Sequence, residues 1–145
     1  MIGAALPLLL LAAPPATGDA ARLLELHGKV IRAHFERKPE LLMEDEAEVN
    51  VVANRGEITR PTLPERRARF TAYFKDTAFE EYQDLAEPLV TVSADGTLGW
   101  VIVQVHARGT RAGGEKVDFV SAWVELYQKR DGRWWRVGNI SNFKP

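Results

Sequence analysis

The sequence predicts an α+β domain, with N-terminal helices packed on one face of a strongly curved antiparallel sheet. Three observations carry this. Apolar residues at three- and four-residue spacing occur only in the first half, up to about Asp76. From Phe79 onward every segment reads as strand, the later ones long and β-rich. The dipeptides Asp95-Gly96 and Asp131-Gly132 then join long strands as hairpins. Helices first and a meander afterwards is the order of an α+β architecture.

At 145 residues the chain is one domain in length, large enough to bury a core without disulfides or metals. It contains no cysteine, which excludes disulfides, thiolate metal sites and cysteine nucleophiles together. A net charge of −1 gives no basic surface for displacing counterions from a polyanion, so a nucleic-acid partner is not expected.

The first 18 residues, MIGAALPLLLLAAPPATG, have the layout of a secretory signal peptide. Ile2 to Ala13 is apolar apart from Pro7, Pro14 and Pro15 break the run, and Ala16-Thr17-Gly18 places small residues before Asp19. The run is shorter than the roughly 20 apolar residues that span a bilayer. The reading is export to the periplasm or medium, no stable membrane span, and a mature domain of residues 19–145. The n-region lacks Lys and Arg and departs from the pattern there.

Asp19 is placed to cap a first helix over Ala20 to Lys38, with Leu23, Leu24, Val30, Ile31 and Phe35 as its buried stripe. Pro39 ends it and opens a short second helix, Pro39 to Glu46, whose acidic end reads as solvated. Val49 to Asn54 is a strand, and Arg55-Gly56 turns it back through Glu57 to Thr59. Thr62 with Glu65 three residues on is a capping box for a third helix to about Asp76. Arg66, Arg67 and Arg69 on that helix read as a solvated basic face. The strands are then Phe79 to Asp84, Leu89 to Ser93, Thr97 to Arg108, Val117 to Lys129 and Trp134 to Phe143, with a glycine-rich loop from Gly109 to Glu115.

Alternation assigns faces. On the last strand Trp135, Val137, Asn139, Ser141 and Phe143 share one side. The expectation is that Trp135 and Val137 pack on the helices while Asn139 and Ser141 reach a pocket mouth. On the strand before it, neither Phe119, Ser121, Trp123, Glu125 and Tyr127 nor Val120, Ala122, Val124 and Leu126 is cleanly polar, so both faces are expected to be covered, the outer one by a second subunit.

Leu26-His27 and Ala33-His34 on a first helix, the Asp95-Gly96 hairpin, Ser121-Ala122-Trp123 and Asp131-Gly132-Arg133-Trp134-Trp135 together resemble the nuclear-transport-factor-2-like superfamily. Within it they resemble the SnoaL-like bacterial branch, near the association domain of calmodulin-dependent kinases. The resemblance spans Ala20 to Asn142. It implies a cone: a curved sheet wrapped around the first helix, a pocket at the open end, and homodimers through the sheet's outer face. The superfamily includes ketosteroid isomerase, scytalone dehydratase, limonene epoxide hydrolase and polyketide cyclases, and also non-catalytic binding and assembly domains. Fold alone therefore does not assign an activity.

His27 and His34 lie two turns apart on one side of the first helix, beside Val30 and Ile31. They either face a pocket and carry protons near neutral pH, or bond a backbone carbonyl within the core. They are about 10 Å apart along the axis, too far to share a metal without further ligands. His106 reads as exposed. Ketosteroid isomerase carries an Asp base on the strand matching Val49 to Asn54, which here has no acid; Asn50 cannot replace it. Glu125 is either a pocket acid with a raised pKa or an outward residue paired across the sheet. No serine–histidine–acid spacing and no phosphate-cradling glycine loop stands in the chain, and no cofactor or metal is expected. The sequence thus points first to binding of a small hydrophobic molecule by His27, His34, Trp123, Asn139 and Ser141. An isomerase, dehydratase or cyclase using His34 or Glu125 comes second, and a pure assembly module third.

Overall fold

A computed structural model describes residues 17–144, so the proposed signal sequence lies almost wholly outside the described residues. Among the described residues there are three helices, α1 (Gly18–Glu36), α2 (Pro39–Met43) and, after the first two strands, α3 (Leu63–Asp76). The strands are β1 (Glu46–Asn54), β2 (Glu57–Thr59), β3 (Thr77–Asp84), β4 (Leu89–Val92), β5 (Leu98–Arg111), β6 (Lys116–Arg130) and β7 (Arg133–Lys144). They form one seven-stranded sheet in the order β2-β1-β7-β6-β5-β3, with β4 also on β5.

The α+β class holds, but the sheet is mixed. β1 runs parallel to β7, and its Val51 to Asn54 pair with Gly138 to Ser141. β3 and β4 lie end to end along β5, both antiparallel to it, and β5, β6 and β7 then alternate through turns. β1 arrives from the helical half, so its direction is not fixed by a hairpin to β7.

α1 begins one residue before Asp19, with Thr17 at its N-cap. Asp19 therefore does not cap it. Its carboxylate accepts from Lys129 Nζ at 2.8 Å and Trp134 Nε1 at 2.8 Å, tying the first turn of α1 to the β6–β7 hairpin. Both donors hold the Asp19 carboxyl below its usual range. α1 ends at Arg37 in the left-handed conformation, whose N–H returns to the helix.

The buried stripe of α1 is Leu23, Leu26, His27, Val30, Ala33 and His34. Phe35, expected inside, is 54% exposed. Leu24, Ile31 and Phe35 form a neighbouring stripe one step around the helix, and the sheet sits on the side that carries the histidines. The core joins this stripe to the inner face of β5 (Val101, Val103, Val105, Ala107), to Tyr127 and Trp134, and to Phe74 and Phe79. The capping box at Thr62 is present, with Glu65 accepting from the Thr62 N–H at 2.7 Å.

The acidic stretch after α2 is only partly solvated. α2 stops at Met43; Glu44 and Glu48 are exposed, but Asp45, just before β1, and Glu46, which opens it, are buried. Arg66 is likewise buried rather than on a solvated face. Glu46 and Arg66 find each other across the fold, because neither charge tolerates burial alone.

The closing strand contains the main departure from simple alternation. Tyr127 pairs with Arg136 and Leu126 with Gly138, so Val137 is one residue extra on β7. This β-bulge shifts the phase of the strand. Before it Trp134 and Arg136 face the core; after it Asn139 and Ser141 do, opposite Glu125 and Trp123. Trp135 and Val137 lie on the other side, not on the helices.

Candidate functional site

A cavity of about 400 Å³ opens between α1, α3 and the inner faces of β1, β6 and β7. Its aromatic wall comes from Phe70 and Tyr73 of α3, Tyr82 of β3, and Phe119 and Trp123 of β6. Phe70 and Tyr73 are presented by the face of α3 that also carries Arg66, since residues three and four apart share a helix face. The polar wall comes from Asn54 of β1 and from Asn139 and Ser141 of β7, on adjacent rungs: Asn54 pairs with Ser141, and Ser141 with Trp123. Of the residues read from sequence, His34, Trp123, Asn139 and Ser141 line this cavity. His27 does not line it; its ring lies 6.2 Å from that of Trp123.

His34 sits in an aromatic cage. Tyr82 stacks on it at 4.3 Å and 11°, and Phe74 meets it edge-on at 5.1 Å. Its Nδ1 donates to the Val30 carbonyl at 2.8 Å, which fixes the neutral tautomer with Nε2 unprotonated. Burial disfavours the imidazolium, and the Arg136 charge adds to this against the Val30 bond, so the pKa falls to about 4. At neutral pH His34 is an uncharged ring with weak basicity.

His27 lies deeper, between two carboxylates. Nδ1 contacts Glu125 at 3.2 Å and Nε2 contacts Asp84 at 3.0 Å. Burial opposes its charge, but the bonds to Asp84 and Glu125 outweigh it and raise the pKa to about 9. It bonds no backbone carbonyl.

Glu125 is fully buried and faces inward. Trp123 Nε1 donates to it at 2.9 Å and Tyr127 OH at 2.6 Å, in addition to His27. The expected upward shift does not occur. Burial does push its pKa up, but the hydrogen bond and charge of His27, with the Arg136 charge and the Tyr127 hydroxyl, hold it at about 2. Glu125 is a permanently ionised acceptor that fixes the Trp123 indole in the cavity wall.

Beneath the polar wall is a cluster that the sequence reading missed. Arg66 and Arg136 both donate to the same Glu46 oxygen. Arg136 also reaches the Leu42 carbonyl at 3.5 Å, and Asn50 Nδ2 donates to the Arg136 carbonyl at 3.4 Å. Burial pulls Arg66 down to about 10 against the pull of Glu46; Arg136 is buried too, but Glu46 and its other anionic neighbours raise it above its ordinary value. The available signal was helical spacing: Arg66, Phe70 and Tyr73 fall on one face. Nothing local marked Arg136, which shares the inward face of Trp134 before the Val137 bulge.

His106 is half-buried on β5, between Glu81 at 2.7 Å and Asp118 at 2.7 Å, away from the cavity. Among the described residues no group of three His, Cys, Asp or Glu side chains could hold a metal, and no helix is long and apolar enough to cross a membrane.

No family model and no curated protein matches the sequence. Solved structures do match. A protein from Xanthomonas campestris described as a calcium/calmodulin dependent protein kinase II association domain superposes with a TM-score of 0.66 at 19% identity, covering 92% of this chain and 94% of that one. A ketosteroid isomerase-like protein from Erwinia carotovora atroseptica gives 0.71 at 14% identity, over 88% and 98% of the two chains. A nuclear-transport-factor-2-like protein from Cytophaga hutchinsonii gives 0.70 at 14% identity, over 87% and 98%. With helices enclosed by an unclosed curved sheet and likenesses spanning nearly the whole described chain, the protein has the nuclear-transport-factor-2-like fold.

Proposed function

We propose that this domain binds a small, largely hydrophobic molecule in the cone cavity. The observation that supports this most is the wall itself: aromatic side chains on one side and Asn54, Asn139 and Ser141 converging on the other. An aromatic and aliphatic concavity with converging polar groups is the usual composition of a small-molecule site. His34 and Trp123 contribute flat surfaces; His27 acts indirectly, by holding Glu125 and through it the Trp123 ring. A catalytic reading has weaker support, because His34 is a poor base at a pKa of about 4 and Glu125 is engaged by three donors. Filling the cavity tests the binding reading. Wild-type protein is expected to bind apolar aromatic probes one to one, with a change in tryptophan emission, and Ser141→Phe to abolish this while keeping the fold. Unchanged binding in Ser141→Phe would place the site elsewhere.

Export and dimerisation belong to the same reading. The apolar run before Asp19 supports export after removal of residues 1–18; intact mass of the protein recovered from the producing cell is expected to start at Asp19, and retention of Met1 would overturn it. A homodimer through the outer sheet face is supported by one apolar row crossing six strands. Leu89 pairs with Ile102, Ile102 with Val124, Val124 with Ile140, Ile140 with Ala53 and Ala53 with Ile58. Leu89, Ile102, Ile140 and Ile58 are all exposed in the single chain.

A further inference from the structure

Among the described residues four arginines line the cavity (Arg55, Arg66, Arg69 and Arg136), and no aspartate or glutamate does. Glu46 pairs with two of them, Arg66 and Arg136. Its single charge faces both Arg66 and Arg136, so this buried trio carries one positive charge in excess. Arg66 is 3% exposed, and among the described residues its Nε and Nη1 have no hydrogen-bond partner; the second oxygen of Glu46, Oε2, has none either. Buried guanidinium donors are rarely left without acceptors, because the desolvation they suffer is then uncompensated. In the same cavity lining, the buried Asn54 Oδ1 also lacks a partner among the described residues.

Resting on the cavity reading above, we infer that the ligand is an amphipathic carboxylate: an apolar, aromatic or aliphatic body against Phe70, Tyr73 and Trp123, and a carboxylate accepting from the free donors of Arg66. A guanidinium N–H to a carboxylate oxygen is a charge-assisted bond, stronger than a neutral one. Arg69, 5.1 Å from the Phe70 ring centroid at the exposed rim, adds attraction for an anion entering. Asn54 Oδ1 then accepts from a hydroxyl or amide on the ligand body. The cavity has room for roughly a dozen water-sized groups, which sets the scale of the body at a substituted aryl or medium-chain acid.

The test compares phenylbutyrate with phenylbutanol, which share a body and differ in charge, by calorimetric titration into the full-length protein at low salt and neutral pH. The expected result is a preference for the acid of about tenfold or more. Arg66→Met is expected to remove that preference while leaving the affinity for the alcohol. Equal affinities in the wild type would overturn the carboxylate assignment and leave the apolar cavity reading intact. Binding of neither probe would overturn both. A preference that survives in Arg66→Met would overturn the role of Arg66. Should that variant not fold, the wild-type comparison decides alone, supported by loss of the acid's advantage at high salt.

Discussion

The His27 imidazole meets the Glu125 carboxylate at 3.2 Å, joining the middle of α1 to the middle of β6 across 98 residues of sequence. The contact is buried on both sides, so each charge depends on the other for its solvation. It also orders the wall of the cavity, because the same Glu125 oxygen accepts from Trp123.

Stability is expected to fall as pH rises from 6.5 to about 9. The folded protein holds the His27 proton to about 9, whereas the unfolded chain releases it near 6.5. Between those values the native state binds more protons, and stability declines by up to about 1.4 kcal/mol per pH unit. Below 6.5 the contribution is fully present. The Glu125 side of the pair acts at the other end, being retained above 4.5 and lost as pH falls toward about 2. Urea denaturation of wild type and His27→Gln across pH 6 to 9 checks this. The variant is expected to be less stable at pH 6 and to lose most of the slope; parallel curves would show that His27 is not the group titrating.

Glu125→Gln is expected to destabilise the fold by about 3 kcal/mol, the scale for breaking a buried ion pair, or roughly 10 °C in Tm. It leaves the buried imidazolium with Asp84 alone. An unchanged melting temperature would mean that Glu125 is not enclosed as described.

His34 is expected to stay neutral through the physiological range and to protonate only near pH 4. Ring proton shifts followed by NMR from pH 8 to 4 report this directly. A midpoint near 6.5 would mean that the Tyr82 and Phe74 cage is open to water.

Gly109→Ala is expected to cost about 2 kcal/mol or more, and Gly113→Ala close to nothing. A Cβ at Gly109 runs into the backbone of Ala78 and Phe79 on β3, which cannot rotate away, whereas Gly113 has no atom within 4 Å. Thermal melts of the two variants measure the contrast; equal effects would refute the close β3–β5 approach.

Ile102→Asp is expected to convert the proposed dimer to a monomer without unfolding it, as read by sedimentation velocity with circular dichroism. Ile102 stands at 40% exposure between Leu89 and Val124 in the outer apolar row. A monomeric wild type would remove the basis for a self-paired face.

Much of the helical half and the hairpins was legible because their signals are local. The Thr62–Glu65 capping box, the Asp-Gly turns and the β5 and β6 alternation each specify structure within a few residues. What was not legible depends on partners far away in sequence. Glu46 looked solvated because its arginines, Arg66 and Arg136, are 20 and 90 residues distant. Glu125 was placed on a sheet without a known inside, so burial alone set the expected sign of its shift, and the partners that reverse that sign, His27 first and then Arg136 and Tyr127, could not be read. The parallel β1–β7 pairing has no turn to announce it. Asn139 and Ser141 do reach the cavity wall, but by a bulge rather than by continuing the face of Trp135 and Val137.

That bulge gives β7 two reading frames. In the first, odd positions face out and Arg136 goes to the buried charge cluster; in the second, odd positions face in and supply polar atoms to the cavity. The slip that turns Asn139 and Ser141 inward is the same slip that turns Ile140 outward, where it completes the apolar row between Val124 and Ala53. Interior lining and exterior contact surface are thus written by a single extra residue, and neither can change parity without the other.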